Sequence, residues 1–490
     1  MLVAEKNRND TMVENLKNKT IHGVLWSAIE RFSLQGVQFL INIIMARLLL
    51  PSEYGLVAML AIFLQISQVF IDSGFTNALI QRKNRTEVDY STVFYFNIFI
   101  SVVFYLILFI VAPWIAGFYH MPVLVAITRV IALNLIISAL SAVHRTRLTI
   151  NIDFKTQSKA SLIAAFLSGG IGIGMAYLGY GVWALVFQSI LNSLFLTFLL
   201  HYFVKWRPLR VFSICSFKSL FNFGSKLLLS SLLHTIYRNL YTLVIGRKFS
   251  ARDLGYYTRS EQFAVFPSSN LSAIISRVTF PVLSSIQDDD VRLFVAYRRY
   301  IRFASMVIFP LMVGLAVLAK PTVSFLLTDK WLAVVPLLQI LCFDWMFDHL
   351  SMINSNLLYV KGRSDLVLKL EIIKKIMATS ILFASIPFGL VGMCWGRVIY
   401  SLIATYLNTF YTKRFIGLSF WIQLRDIFPY FILSICMGLV VWTLSMLEMQ
   451  NWVHLFCGLL LGVTVYLGGI YCFQRDDLKE MLTLMKMINH

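Results

Sequence analysis

Residues 46–60 read ARLLLPSEYGLVAML, and residues 246–260 read GRKFSARDLGYYTRS. At an offset of 200 positions Arg47 falls on Arg247, Glu53 on Asp253 and Gly55 on Gly255. The correspondence continues at an offset of 210: LSAVHRTRL from Leu140 lies over LSMINSNLL from Leu350, and GYGVW from Gly179 over GLVGM from Gly389. A period this long exceeds that of a solenoid repeat. It is the length of a duplicated membrane bundle, an architecture used mostly by transporters.

The composition places the chain in lipid. Hydrophobic residues make up 58% of it and charged residues 14%, with 40 phenylalanines, where a soluble domain carries roughly 25% charge. About fourteen apolar stretches of about 20 residues recur along the chain, each long enough to cross the hydrocarbon core. The segment near 256–280 is the exception, being unusually polar.

The net charge of +19 raises the question of nucleic acid, but its distribution argues for topology instead. With the N-terminus in the cytoplasm, the cytoplasmic connections hold Arg82, Lys83 and Arg85; Lys155 and Lys159; Lys205, Arg207 and Arg210; Arg292, Arg298 and Arg299; Lys361 and Arg363; Lys413 and Arg414; Arg475 and Lys479. The opposite connections near 118–122, 178–181, 386–391 and 446–452 carry no Lys or Arg. This alternation is the positive-inside pattern and puts both termini in the cytoplasm. Two outer loops dissent, one with Arg247, Lys248 and Arg252, the other with Lys320 and Lys330. The polar start, MLVAEKNRNDTMVENLKNKT, lacks the plan of a cleaved signal peptide. Of six cysteines, Cys342, Cys394, Cys436, Cys457 and Cys472 lie in apolar segments and Cys215 beside a basic loop. They read as packing residues, with no disulfide required.

The expected organisation is a cytoplasmic tail (1–20), a six-helix bundle (21–204), a basic connector (205–216), a second six-helix bundle (217–415), two extra transmembrane helices (416–474) and a cytoplasmic tail (475–490). Six crossings per half give both copies the same orientation, a parallel repeat with the substrate path between the halves. No soluble catalytic domain, Walker motif or metal-spaced His/Cys cluster is present, and no catalytic residue, metal or cofactor is expected. The GG and GIG runs of residues 169–174 read as small residues for close helix contact.

Polar stripes mark the candidate site. Ser27, Arg31, Gln35, Gln38 and Asn42 share one face of the first helix; the 200-residue offset carries them to Leu227, Ser231, Thr235, Arg238 and Thr242, with Lys226 alongside. Polar groups at membrane depth are costly and turn toward a wet cavity; alternatively, Arg31 snorkels to headgroups. Asn134, Ser138, Ser141 and Arg145 in the fourth helix match Asp344, Asp348, Ser351 and Ser355 in the tenth at the same 4, 3, 4 spacing. Asp344 and Asp348, with Glu30 as a substitute, are candidates to trade a proton or hold sodium; equally, they salt-bridge a neighbouring Arg or Lys. His349 beside them reads as a packing or hydrogen-bonding residue. The eighth segment carries Arg259, Glu261, Gln262, Asn270, Ser276 and Arg277, which need shelter in the central cavity. The cavity cations are then Arg31, Arg238, Arg259 and Arg277, with Lys226 and Arg145, and its neutral polar lining Gln35, Gln38, Asn42, Thr235 and Asn134. Such a cavity suits phosphate or pyrophosphate.

ARLLLPSEYGLVAML, DSGFTNALIQRKN from Asp72, LGYYTRSEQF from Leu254 and FPVLSS from Phe280 resemble the polysaccharide-exporter branch of the multidrug/oligosaccharidyl-lipid/polysaccharide superfamily, which includes the Wzx-like O-antigen and colanic-acid flippases. The resemblance spans most of the chain. It implies an all-α integral membrane fold with about 14 transmembrane helices, two six-helix bundles related by pseudo-two-fold symmetry around a V-shaped cavity, as in MATE transporters. It also implies translocation of undecaprenyl-pyrophosphate-linked oligosaccharide across the bacterial inner membrane. The implied substrate is that lipid-linked oligosaccharide; the expected partners are membrane lipids and polysaccharide polymerase and assembly proteins, with H+ or Na+ as candidate coupling ions for the acids above and, from the charge distribution, no nucleic acid. It supplies no catalytic motif, so the site residues come from the stripes. Other readings are a multidrug cation antiporter, against which an arginine-rich interior counts, and a non-transporting assembly scaffold, which needs no matched charged stripes. A membrane polymerase would need a large outer loop.

Overall fold

The computed structural model describes residues 33–72, 74–447 and 449–488, except for the side chains at 223, 226, 273–278, 281, 481–482 and 484–488. Among the described residues every regular element is helical. Nine helical stretches among them are long and apolar enough to span a membrane. The chain is a multi-pass membrane protein. Its helices expose apolar stripes that only lipid would cover, as with Phe99, Leu106, Ile110 and Trp114 on one helix. The chain gathers into two compact units, Met1–Gly255 and Tyr256–His490.

The first unit comprises α1 (Ser33–Leu48), α2 (Pro51–Asp72), α3 (Phe75–Gln81), α4 (Glu87–Tyr119), α5 (Val123–Ile131), α6 (Leu133–Ile150), α7 (Phe154–Tyr177), α8 (Val182–Val204), α9 (Ile214–Arg238), α10 (Leu240–Lys248) and the start of α11 (Ala251–Ser285). The repeated motif starts two of these helices, and its acid has a local job. The Glu53 carboxylate accepts the Leu50 N–H at 2.6 Å. Ser250 and Asp253 exchange bonds, Asp253 accepting from the Ser250 N–H at 3.2 Å while Ser250 Oγ accepts from the Asp253 N–H at 3.1 Å. Each satisfies amides that a helix start leaves orphaned.

The motif's glycine has a second job. A Cβ on Gly55 would lie 1.7 Å from the Ala251 carbonyl oxygen, and one on Gly255 1.9 Å from that of Pro51. Positions 51 and 251 are counterparts, as are 55 and 255. Each copy therefore presses its glycine onto the first helical residue of the other, the reciprocity that a two-fold axis imposes.

The compact boundary differs from the repeat boundary because α9 packs against α2 and α3, and Asn239, between α9 and α10, donates to Gln65 Oε1 at 2.9 Å. The basic connector is held as well. Leu209 N–H donates to Ser91 Oγ at 2.8 Å, Ser213 N–H to Thr92 Oγ1 at 3.1 Å, and Trp206 Nε1–H to Glu87 at 2.7 Å. Arg147 grips both oxygens of Glu87 at 2.9 and 2.8 Å, tying α6 to the start of α4. Two of the four glycines of α7 make the close contacts expected of them: a Cβ on Gly169 would lie 2.3 Å from the Ile41 side chain and one on Gly172 2.8 Å from that of Gln188, whereas Gly170 and Gly174 face open space.

The second unit continues α11 and adds α12 (Asp290–Val317), α13 (Ala319–Leu327), α14 (Val334–Met346), α15 (Asp348–Val360), α16 (Ser364–Ser385), α17 (Gly389–Ile416), α18 (Phe420–Thr443), α19 (Asn451–Phe473) and α20 (Arg475–Ile488). Buried polar pairs join its helices, where each unmet hydrogen bond would be costly. Asn354 of α15 and Gln423 of α18 exchange amide bonds at 2.9 Å each way, and Thr412 of α17 donates to Asn354 Oδ1 at 3.0 Å. Arg298 of α12 binds Asp426 of α18 bidentately at 2.7 and 2.6 Å. The C-terminal segment expected as a tail forms α20, bonded to α12 through Arg302–Asp477 at 3.0 Å and through Arg299–Glu480.

If the glycine crossing sets helix separation, Gly55→Val and Gly255→Val should each force α2 and α11 apart. Overpacking of this kind costs roughly 1–3 kcal/mol or more. The expected result is a lower thermal midpoint of the purified protein in detergent for either variant, and Gly36→Ala, where a Cβ meets nothing within 4 Å, serves as the neutral control. Wild-type midpoints for both Val variants would refute the crossing.

Candidate functional site

In the first unit the polar stripe of α1 faces α7 and α8. Gln38 and Asn42, one helical turn apart, line a cavity of about 210 Å³ together with Ile41, Ala165, Ser168, Gln188, Ser189 and Asn192. Asn134 of α6 donates to Ser189 Oγ at 2.8 Å, and Ser168 Oγ donates to Asn192 Oδ1 at 3.4 Å. Buried oxygens on Gln35 and Asn134 lack a hydrogen-bond partner. Thus two of the neutral residues singled out in the sequence, Gln38 and Asn42, line one space, and a third, Asn134, bonds to the Ser189 that lines it. Gln35 lies about a turn before Gln38 on α1. Thr235 is on α9, where its carbonyl accepts the Asn239 amide at 2.9 Å.

The cations are more dispersed. Arg238 closes α9 and is exposed. Arg145 is exposed on α6, with the Asp72 carboxylate as an electrostatic neighbour. Neither enters the ion pairs found among the described residues. Arg259 is 5% exposed; it donates to Gln262 Oε1 at 2.7 Å and lies over the Trp331 ring at 5.6 Å. Arg31 and Glu30 fall outside the described residues, and with them the expected roles of Arg31 as a cavity cation and of Glu30 as a substitute ion site. The side chains of Lys226 and Arg277 fall outside them too.

The second unit holds a charge cluster around a residue that the matched stripes passed over. Arg397 of α17 donates to Tyr257 Oη at 2.5 Å and Glu261 Oε1 at 2.6 Å, both on α11, and its other terminal nitrogen contacts Asp344 Oδ2 at 2.8 Å. Its guanidinium lies 5.8 Å from the Trp345 ring centroid. Ser401, one turn on, donates to the Asp344 carbonyl at 3.1 Å. One guanidinium thus holds two carboxylates from two other helices. Asp348 is half-buried, with Asp344, Arg397 and Lys374 as its electrostatic neighbours. The helix breaks at Phe347, between the two acids, so Asp344 sits in the last turn of α14 and Asp348 starts α15. His349 is fully buried and hydrogen-bonds Ser305 Oγ at 2.8 Å. Among the described residues no group of three His, Cys, Asp or Glu could hold a metal ion.

A family model described as "Polysaccharide biosynthesis protein" matches residues 44–336, taking in the motif crossing, the α7 and α8 walls of the amide-lined cavity and the start of the second unit. The chain belongs to this polysaccharide biosynthesis family. Among its relatives, the teichuronic acid biosynthesis protein TuaB of Bacillus subtilis is 26% identical, covering 92% of this chain and 95% of TuaB. The lipopolysaccharide biosynthesis protein WzxC of Escherichia coli is 26% identical over 87% of this chain and 89% of its own length. The lipid II flippase MurJ, solved in an inward closed conformation, matches with a TM-score of 0.77 at 16% identity, covering 93% of this chain and 100% of MurJ. The fold of this polysaccharide biosynthesis family member is therefore that of the MurJ and MATE transporters.

Breaking the Arg397 cluster from one side should be severe. Arg397→Leu strands Glu261 and Asp344 without their cation, which typically costs 3–5 kcal/mol. The expected outcome is a large drop in the thermal midpoint that Glu261→Gln and Asp344→Asn, added to Arg397→Leu, restore. A triple variant as unstable as the single one would show that the guanidinium supports the fold by packing rather than charge.

Proposed function

We propose that this protein is a flippase for lipid-linked oligosaccharide, moving a polyprenyl-pyrophosphate-linked glycan across the bacterial inner membrane for O-antigen, capsule or exopolysaccharide assembly. The family match over residues 44–336 carries this reading; the MurJ-like fold supports it. The proposed cycle is alternating access between the six-helix bundles 21–204 and 217–415, within about fourteen crossings, with both termini cytoplasmic. Cells lacking the protein should accumulate lipid-linked oligosaccharide on the cytoplasmic leaflet and lose surface polysaccharide. An unchanged lipid-linked pool would refute the reading.

Exposed guanidinium groups suit a pyrophosphate, since a planar fork binds phosphate oxygens bidentately. Arg145 and Arg238 fit this role best, being exposed and outside the observed ion pairs; Arg31, Arg277 and Lys226 extend the same set, and Arg259 would join it on releasing Gln262. Arg145→Ala and Arg238→Ala should each cut surface polysaccharide severely at normal protein levels, with Lys rescuing in part. Full export by both Ala variants would remove them from the headgroup site.

Ion coupling is assigned to the acids of the second unit. Asp344 is engaged by Arg397, so Asp348, one turn away, is the carboxylate available to take up a proton or Na+; doing so removes a charge beside Asp344 and biases the bundle between states. Asp348→Asn should make transport insensitive to the ion gradient. Retained gradient dependence in proteoliposomes would move coupling elsewhere, to Glu30 first. No catalytic role is proposed.

A further inference from the structure

We infer that the amide-lined cavity of the first unit is a sugar subsite that reads a single ring of the glycan through neutral hydrogen bonds. The inference rests on the flippase reading and names what that reading leaves open, the part of the protein that senses sugar.

The cavity is built from two facing amide pairs. Gln38 and Asn42 are one turn apart on α1; Gln188 and Asn192 are one turn apart on α8; Ser168 of α7 lies between them, with Ser189 beside. The spacing i, i+4 puts each pair on one helix face. The third wall is kept thin by small side chains, Ala165 and Ser168. Gly169 and Gly172 let α7 close on Ile41 and Gln188, where a Cβ would come within 2.3 and 2.8 Å. The helices thus pack tightly around the cavity while side chains too small to fill it leave it open.

The lining chemistry selects the ligand class. No lining residue is charged, so the cavity offers neither the carboxylates that hold a cation nor the guanidinium groups that hold a pyrophosphate. Each primary amide presents two N–H donors and an acceptor oxygen. Sugar hydroxyls, each a donor and an acceptor, complement such a surface. Amides lodged between helices of a membrane bundle are costly unless partnered, so the four lining amides call for a hydrogen-bonding occupant; beside the cavity, Asn134 gives its Nδ2 to the lining Ser189. Size narrows the ligand further. About 210 Å³ is several times the ~30 Å³ share of one water but below the ~300 Å³ at which pockets for larger ligands begin. That is room for one ring, not for a whole oligosaccharide or its lipid.

A site built to hydrogen-bond a ligand discriminates strongly against one that lacks those groups, because its own polar atoms are then left unpaired. The purified full-length protein in nanodiscs should therefore bind the lipid-linked oligosaccharide that accumulates in cells lacking it more tightly than bare undecaprenyl pyrophosphate. The Asn42→Leu/Gln188→Leu double variant should lose that preference, by about tenfold in Kd (~1.4 kcal/mol), with binding of the bare lipid unchanged. Should the double variant fold poorly, Asn42→Ser/Gln188→Ser keeps the wall polar while withdrawing the amides and must also lose the preference. A wild type without preference for the sugar-bearing lipid, or folded variants that retain it, would overturn the subsite and make the cavity a hydrated packing feature. Failure of the deletion strain to accumulate any lipid-linked oligosaccharide would instead overturn the flippase reading itself, and the subsite with it.

Discussion

Two glycines two hundred residues apart, each pressed onto the backbone that begins the other's helix, set the geometry on which the first unit depends. Helix backbones approach this closely only where no Cβ intervenes. Gly55 on Ala251 and Gly255 on Pro51 form one contact used twice, so a change in either copy is felt by both. The acid two residues before each glycine caps the same helix start. Capping fixes where the helix begins, and the glycine fixes what may touch it there. In a bundle without a hydrophobic drive between helices, such van der Waals contacts and the polar bonds of Asn239–Gln65 and Glu87–Arg147 do the joining.

The matched stripes of the sequence repeat carry different polar chemistry. The fourth-helix stripe of the first half is neutral until Arg145, and its Asn134 serves Ser189. Its counterpart carries Asp344 and Asp348 and is matched by Arg397 and Glu261 from neighbouring helices. A buried cation shared by two carboxylates adds little to stability compared with an apolar replacement, but removal of any member is costly. Such clusters therefore tend to be kept for specificity or switching, which is why coupling is assigned to the charged unit and neutral recognition to the other.

Much of this was legible in the sequence because membranes make polarity expensive. The all-helical fold follows from long apolar stretches. The motif at 46–60 and 246–260 pointed to the repeat, Gln38 and Asn42 stand out by the helix face they share, and Asn134 by the polar stripe of its own helix. What symmetry-based reading overlooked was asymmetric. Arg397 is a lone charge within GLVGMCWGRVIYSLIATYL, which by itself signals an intramembrane partner, but it has no matched cation in the first half and was passed over. Gln188 and Asn192 escaped for a similar reason, lying in an apolar α8 where two amides among VWALVFQSILNSLFL read as ordinary scatter. Nor could spacing alone show that Arg259 lies over the Trp331 ring, since a side chain's direction depends on what packs around it. The helix at Arg475–Ile488 was also opaque: RDDLKEMLTLMKMI reads as a charged tail until Asp477 and Glu480 meet Arg302 and Arg299.

The division of chemistry bears on how one fold can serve many polysaccharides. The pyrophosphate is common to every substrate of the proposed class, and guanidinium groups recognise it without regard to what it carries. Sugars differ in the orientation of single hydroxyls, a difference that charge cannot sense but a set of fixed amides can, since one misplaced hydroxyl leaves a donor or acceptor unmet. Recognition of the variable part would then rest on few side chains on α1, α7 and α8, with the capped helix starts, the glycine crossing and the Arg397 cluster unchanged. Substitutions among neutral amides leave the buried charge balance untouched, so this cavity can change its ligand at little cost to the fold. Substitution within the Arg397 cluster has no such freedom, because each of its members neutralises another.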